Sequence, residues 1–334
     1  MQPGTQEWLD QVVEPIVDPE RRIVDPHHHL WPDGGALPYG VDELVADTSS
    51  GHDVIGTVFV ECHAAYRNEG PEHLRPVGET EFVAASAEDL ADRHPGAAPI
   101  RGIVAHADLA ELSVLDEVLD AHEVAGVGRF RGIRDALAHA TEPAALRIPG
   151  RAGADRAADR SFREGVRRLG ERGLPYDTWQ YHYQLADLTE LARVADETVI
   201  VCDHFSTPLG VGSHAGRRDE IFHQWKRDIA ELATCPNVVA KLGGMAMPDN
   251  GFGWDVADRP PTSDEFVAVQ APYYHHTIEV FGPHRCMFES NFPVDRWSLS
   301  YPVLWNALKK IAVDYSDAEQ DEMFSGTATR VYRL

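Results

Sequence analysis

Eight apolar segments recur along the chain, and each is followed by a helix-like segment or a long loop. They fall at 23–25, 54–62, 100–105, 127–133, 174–179, 198–202, 237–242 and 286–289. Segments such as VIGTVFVEC, TVIVC and NVVAKL show no alternation of apolar and polar residues. A strand of that kind is buried on both faces, which suits a parallel sheet covered by helices. Between the strands, helical spacing of apolar residues predicts helices at 79–94, 112–122, 161–172, 183–195, 219–234, 263–281, 301–312 and 316–332. Ser161 and Gly173 read as the caps of the third. Eight strand–helix units in this length predict a (β/α)8 TIM barrel: one α/β domain over 23–334, preceded by an N-terminal extension at 1–22. In the extension, Trp8, Leu9, Val12 and Val13 are placed to pack on the body. A doubly wound open sheet is the rival, but no GxGxxG follows the first strand. Long loops are expected at 139–160 and 245–262.

Composition narrows the partners. The 334 residues are 43% hydrophobic, enough for a large core, and the net charge of −24 includes no run of Lys or Arg. A nucleic-acid partner is therefore not expected, and a small-molecule substrate is. No apolar run approaches a membrane span, and the polar first ten residues lack a signal core, so the expectation is a cytoplasmic protein without membrane contact. A homo-oligomer is expected on general grounds. Cys62, Cys202, Cys235 and Cys286 are far apart and form no metal-binding pair.

In such a barrel the chemistry sits at the C-terminal ends of the strands. Reading past each strand gives His27 and His29; Glu61, Cys62 and His63; His106 and Asp108; Arg129, Arg131, Arg134 and Asp135; Asp177, Trp179, Tyr181 and His182; Asp203 and His204; Lys241; and Glu289, Ser290 and Asn291. Polar residues at the same end of all eight strands point to a catalytic site. Strand parity puts Asp25, His27 and His29 on one face and His28 on the other. Two imidazoles two residues apart suit one metal ion or one carbonyl oxygen. Glu289 shares a face with Asn291, toward the interior, and with Lys241 makes either an acid/base couple or a structural ion pair. Asp295 is a further candidate base. Glu61, His63, Trp179 and Tyr181 are candidates for the substrate surface.

The runs VDPHHHLW, CDH and MFESNFPVD, with FSGTATRVYRL at the end, resemble the amidohydrolase superfamily, and more closely its amidohydrolase-2 branch of TIM-barrel metal-dependent hydrolases. The resemblance covers the chain from about residue 23 onward. It implies zinc or manganese held by His27, His29 and His204, and Arg134 as a partner for a substrate carboxylate or carbonyl. It also implies an Asp base at the position where this chain has Asn291, so the base must come from elsewhere. The branch contains lactonases, some of which work without metal, as well as decarboxylases and hydratases. The expected activity is lactonase-like hydrolysis of a cyclic ester or amide, with a lyase or a catalytically inactive binding barrel as alternatives.

Overall fold

The computed structural model describes residues 2–35 and 37–334. Its eight strands are β1 (Arg22–His28), β2 (Asp53–Val60), β3 (Ile100–Ala105), β4 (Phe130–Arg134), β5 (Tyr176–Thr178), β6 (Ile200–Cys202), β7 (Val238–Leu242) and β8 (Cys286–Phe288). They lie side by side in chain order, each parallel to the next. The helices are α1 (Gln6–Leu9), α2 (Val41–Thr48), α3 (Val77–Arg93), α4 (Leu115–Ala125), α5 (Arg160–Glu171), α6 (Leu185–Val194), α7 (Arg218–Ala233), α8 (Ser263–Phe281), α9 (Tyr301–Ala312), α10 (Asp317–Asp321) and α11 (Thr327–Tyr332). The molecule is the (β/α)8 barrel expected from the strand rhythm. The expected last helix is broken by a π turn at Glu322–Gly326. The N-cap of α5 is Asp159, whose carboxylate accepts from the Phe162 amide at 2.8 Å, and not Ser161. Trp8, Leu9 and Val12 of the extension are buried, whereas Val13 is exposed.

The barrel interior is two-tiered. Val24, Val58, Val60, Val104, Val201, Val239 and Met287 form its apolar part, closed by Ala328 and Tyr332 of α11. Two residues further along their strands from Val201, Val239 and Met287 stand Asp203, Lys241 and Glu289. Period-two geometry puts them on the same inward row, one tier up. All three are fully buried.

The ring is closed by backbone beyond β8. Asn291 N donates to His27 O at 3.0 Å, and His29 N donates to Phe292 O at 2.8 Å. Asp25 pins this seam: its carboxylate accepts from the Ser290 amide at 3.0 Å and from the Tyr301 hydroxyl of α9 at 3.0 Å. Asp25 thus serves the helix layer and does not share a side with His27, contrary to simple parity. The cause is a register shift between Asp25 and His28 in the β1–β2 pairing, which turns His27 inward. His28 packs near Phe59 of the outer core.

Asp25→Ala leaves the buried Ser290 amide and the Tyr301 hydroxyl without their acceptor. The expected loss is about 3 kcal/mol, read as a lowered midpoint in denaturant with an unchanged slope.

Candidate active site

Glu289, just past β8, lies between two imidazoles. Its Oε1 is 2.6 Å from His204 Nδ1. Its Oε2 is 2.8 Å from His27 Nδ1, but that oxygen has no aligned hydrogen-bond donor. The ligand atoms of His27, His204 and Glu289 all fall within 4.8 Å of one another. His29 flanks the group, its ring centroid 4.9 Å from that of His27. Its Nδ1 is 2.8 Å from Val60 O, which can only accept, so Nδ1 carries the proton and Nε2 keeps a lone pair. A backbone carbonyl behind the ring is the usual support for a metal-ligating histidine. Converging donor atoms and an orphaned carboxylate oxygen fit a divalent cation, with His29 adjacent to the group.

Electrostatics favour neutral rings at His27 and His29, while Glu289 draws His204 toward its protonated form. Burial, then the charge of Lys241, hold His27 well below the usual imidazole range. Burial and Arg134 do the same to His29. Burial opposes charge on His204 too, but Glu289 outweighs it and the net shift is upward. Neutral imidazoles are what cation binding requires.

The cations beneath are already partnered. Arg134 Nε donates to Glu61 Oε1 at 2.8 Å, a second nitrogen donates to Glu61 O, and a third lies 3.5 Å from Asp203 and 3.4 Å from His27 Nε2. Lys241 Nζ is 2.7 Å from Asp177 and 3.3 Å from Asp203. Arg134 is therefore committed to Glu61 and Asp203 and not free as a carboxylate anchor. Lys241 does not pair directly with Glu289; it pairs with Asp177 and Asp203, strand-end residues to which the sequence reading gave no role.

Asn291 adopts a left-handed backbone (φ 55°) and its side-chain amide donates to Asp295 Oδ1 at 2.9 Å. Asp295 Oδ2 accepts from Ala246 N at 3.2 Å. Burial pushes the Asp295 carboxyl up to about 7, against the pull of Asn291 and His204.

The backbone that carries His204 is left-handed over four residues, His204 to Thr207. Such a run is strained outside glycine and is held by its surroundings. Gly244, itself at φ +67°, makes room for the ring: a Cβ there would lie 2.5 Å from His204 Nδ1. A Cβ on Gly243 would lie 2.3 Å from Glu289 Cγ. Both glycines are part of the site, and the signal for them was the Gly-Gly pair directly after the seventh strand.

Over the site lie the expected long loops, fastened to each other. Asp249 accepts from the Arg147 and Ile148 amides at 2.7 and 3.0 Å. Tyr181 accepts from Gly150 N at 2.8 Å and donates to Ile148 O at 3.2 Å. Trp179 Nε1 donates to Thr207 Oγ1 at 2.9 Å. Tyr181 and Trp179 thus hold loops, and the Tyr181 hydroxyl is not free for substrate. At the rim after β2 and β3, His63, Tyr66 and His106 cluster, with the His63 side chain 66% exposed. His63 Nε2 is 3.6 Å from Glu61 Oε2, the second orphaned carboxylate oxygen.

A family profile described as Amidohydrolase matches residues 24–334. An uncharacterized protein, y4mH, of Sinorhizobium fredii is 30% identical over 93% of this chain and 98% of its own length. An L-fucono-1,5-lactonase of Burkholderia multivorans is 29% identical over 53% of this chain and 57% of its own. The crystal structure of an amidohydrolase from Burkholderia multivorans with bound zinc superimposes with a TM-score of 0.72 at 24% identity, covering 93% of this chain and 99% of that one.

The rim loop depends on one buried acid. Glu79 of α3 accepts from Cys62 N at 3.1 Å and Ala64 N at 2.7 Å, which flank left-handed His63. Burial, then the charge of Glu61, raise its pKa above the carboxylate value of 4.5. The folded chain keeps this proton where the unfolded chain has lost it, so stability falls as pH rises through that interval and then levels off. Glu79→Gln does not titrate. Its melting temperature is expected to gain on wild type between about pH 5 and about pH 8 in paired thermal melts.

Proposed function

The chain belongs to the amidohydrolase family, and from that premise we propose that it hydrolyses a neutral, hydroxyl-bearing cyclic ester. The observation that carries this reading is the pairing inside the barrel. His27, Glu289 and His204 converge on one point, while Arg134 and Lys241 are both bound to carboxylates. A substrate carboxylate placed there would face Glu61, Asp203 and Glu289, with Arg134 and Lys241 already paired to carboxylates. That weighs against the decarboxylation of an acid. The likeness to a lactonase supports the ester.

In this reading His27, His204 and Glu289, with His29 beside them, hold a divalent cation such as zinc or manganese. When bound, the cation supplies Lewis-acid polarisation of the ester carbonyl. Glu289 has both oxygens facing imidazoles, so its role is holding rather than proton transfer. Asp295 is the base. Its carboxylate takes a proton from the attacking water and returns it to the ring oxygen when the C–O bond breaks, giving a hydroxy acid. Asn291 orients it. The family's Asp is replaced by an amide whose hydrogen bond holds a carboxylate four residues later. His63, Tyr66 and His106 on the rim offer hydrogen-bond partners to substrate hydroxyls.

The test is a panel of neutral sugar lactones against dicarboxylate lactones and aromatic acids, followed by acid release and by carbon dioxide release. Turnover is expected with the neutral lactones; carbon dioxide from an aromatic acid would overturn the reading. Asp295→Asn is expected to lower kcat by about 10²–10⁴ with little change in KM. Wild-type activity should rise with pH through about 7, as Asp295 ionises, and this limb should vanish in the variant. An unchanged limb would remove Asp295 as the base.

A further inference from the structure

Below the metal-binding candidates lies a chain of buried polar groups, of which Tyr332 and Asp177 have no part in the hydrolytic reading. The Tyr332 hydroxyl, on α11, donates to Asp177 Oδ2 at 2.5 Å. The same oxygen receives Lys241 Nζ at 2.7 Å. Lys241 Nζ is also 3.3 Å from Asp203 Oδ1 and 3.4 Å from His27 Nδ1. Tyr332, Asp177, Lys241, Asp203 and His27 are all fully buried.

We propose that Tyr332 is a positioning residue of the active site, reaching His27 from the far end of the barrel through Asp177 and Lys241. The Lys241 ammonium donates to Asp177 and lies within ion-pair reach of Asp203 and within 3.4 Å of the His27 ring. The direction in which Lys241 leans is set by where the Asp177 oxygen is held. Asp177 comes from a three-residue strand, and its other oxygen, Oδ1, has no hydrogen-bond partner. The Tyr332 hydroxyl is what fixes its rotation. Lys241 Nζ further lies 5.3 Å from the centroid of the Tyr332 ring, so one side chain holds the ammonium from two directions. Without the hydroxyl, Asp177 is free to turn about its last torsion, Lys241 follows it, and the His27 ring loses its fixed neighbour. The arrangement makes the last helix part of the site, although Tyr332 is 305 positions from His27 in the chain.

The first experiment is Tyr332→Phe, read by long-range proton–nitrogen spectra of protein labelled at histidine, with the His27 signals assigned by their loss in His27→Gln. The phenyl ring keeps the packing and removes only the hydroxyl. The expected result is a folded variant in which the His27 ring nitrogens shift while those of His122, at the α4–α3 contact, stay in place. Unshifted His27 signals in folded Tyr332→Phe overturn the proposal. Asp177→Asn is the second variant. It should shift His27 as well, and adding Tyr332→Phe to it should move the signals little further, because both act through one link. Independent, additive shifts also overturn the proposal. These spectra need no substrate, so they stand whether or not the hydrolytic reading does. The activity arm rests on that reading: on a neutral lactone, Tyr332→Phe should lower kcat between about tenfold and a hundredfold while KM holds.

Discussion

The architecture at the mouth of this barrel follows from one carboxylate facing two imidazoles in a buried position. Glu289 is fully buried and lies within 3 Å of both His27 and His204. A buried carboxylate is costly unless opposite charge or hydrogen bonds surround it. His204 supplies part of that, and its net upward shift reflects it. Around Glu289 the remaining charges are matched in pairs: Arg134 with Glu61 and Asp203, Lys241 with Asp177 and Asp203. Carboxylates still outnumber the Arg and Lys cations, and the orphaned oxygens of Glu61, Asp177, Asp203 and Glu289 mark the excess. A bound cation is the simplest group that balances it.

The surrounding structure serves to keep this cluster in register. Gly243 and Gly244 let the β7 backbone pass against Glu289 and His204. The left-handed run from His204 to Thr207 aims the imidazole and is tied down by Trp179 through Thr207. The loops that follow β4, β5 and β7 then fasten to one another through Asp249 and Tyr181, while His63, Tyr66 and His106 cluster after β2 and β3. The seam pinned by Asp25 closes the ring next to His27.

Much of this was legible in the sequence because it rests on period-two strands. Eight unalternating apolar runs specify the barrel, and His27, His204, Lys241 and Glu289 all stand just past the ends of those runs or within them. What parity missed has a local cause. The register shift in β1 turned Asp25 to the helix layer, which no rule of alternation reveals. The pairings of Arg134 and Tyr181 are not legible in the sequence because a side chain's free capacity depends on what else reaches it, here Glu61 from another strand and the 148–150 backbone. Asp177 and Asp203 were visible at the strand ends but gained meaning only with Lys241 between them. Tyr332 was out of reach altogether, since its partner comes from a strand more than 150 residues earlier.

The measurement that bears most directly on the central claim is the metal content of wild type and Glu289→Gln, purified without chelator or affinity nickel, by elemental mass spectrometry. About one divalent transition-metal ion per chain is expected in wild type, with a large loss in the variant, whose amide is a weaker ligand and leaves the two imidazoles without their counter-charge. Wild-type protein that is free of metal yet active on lactones, or a variant that retains its ion in full, would contradict that claim.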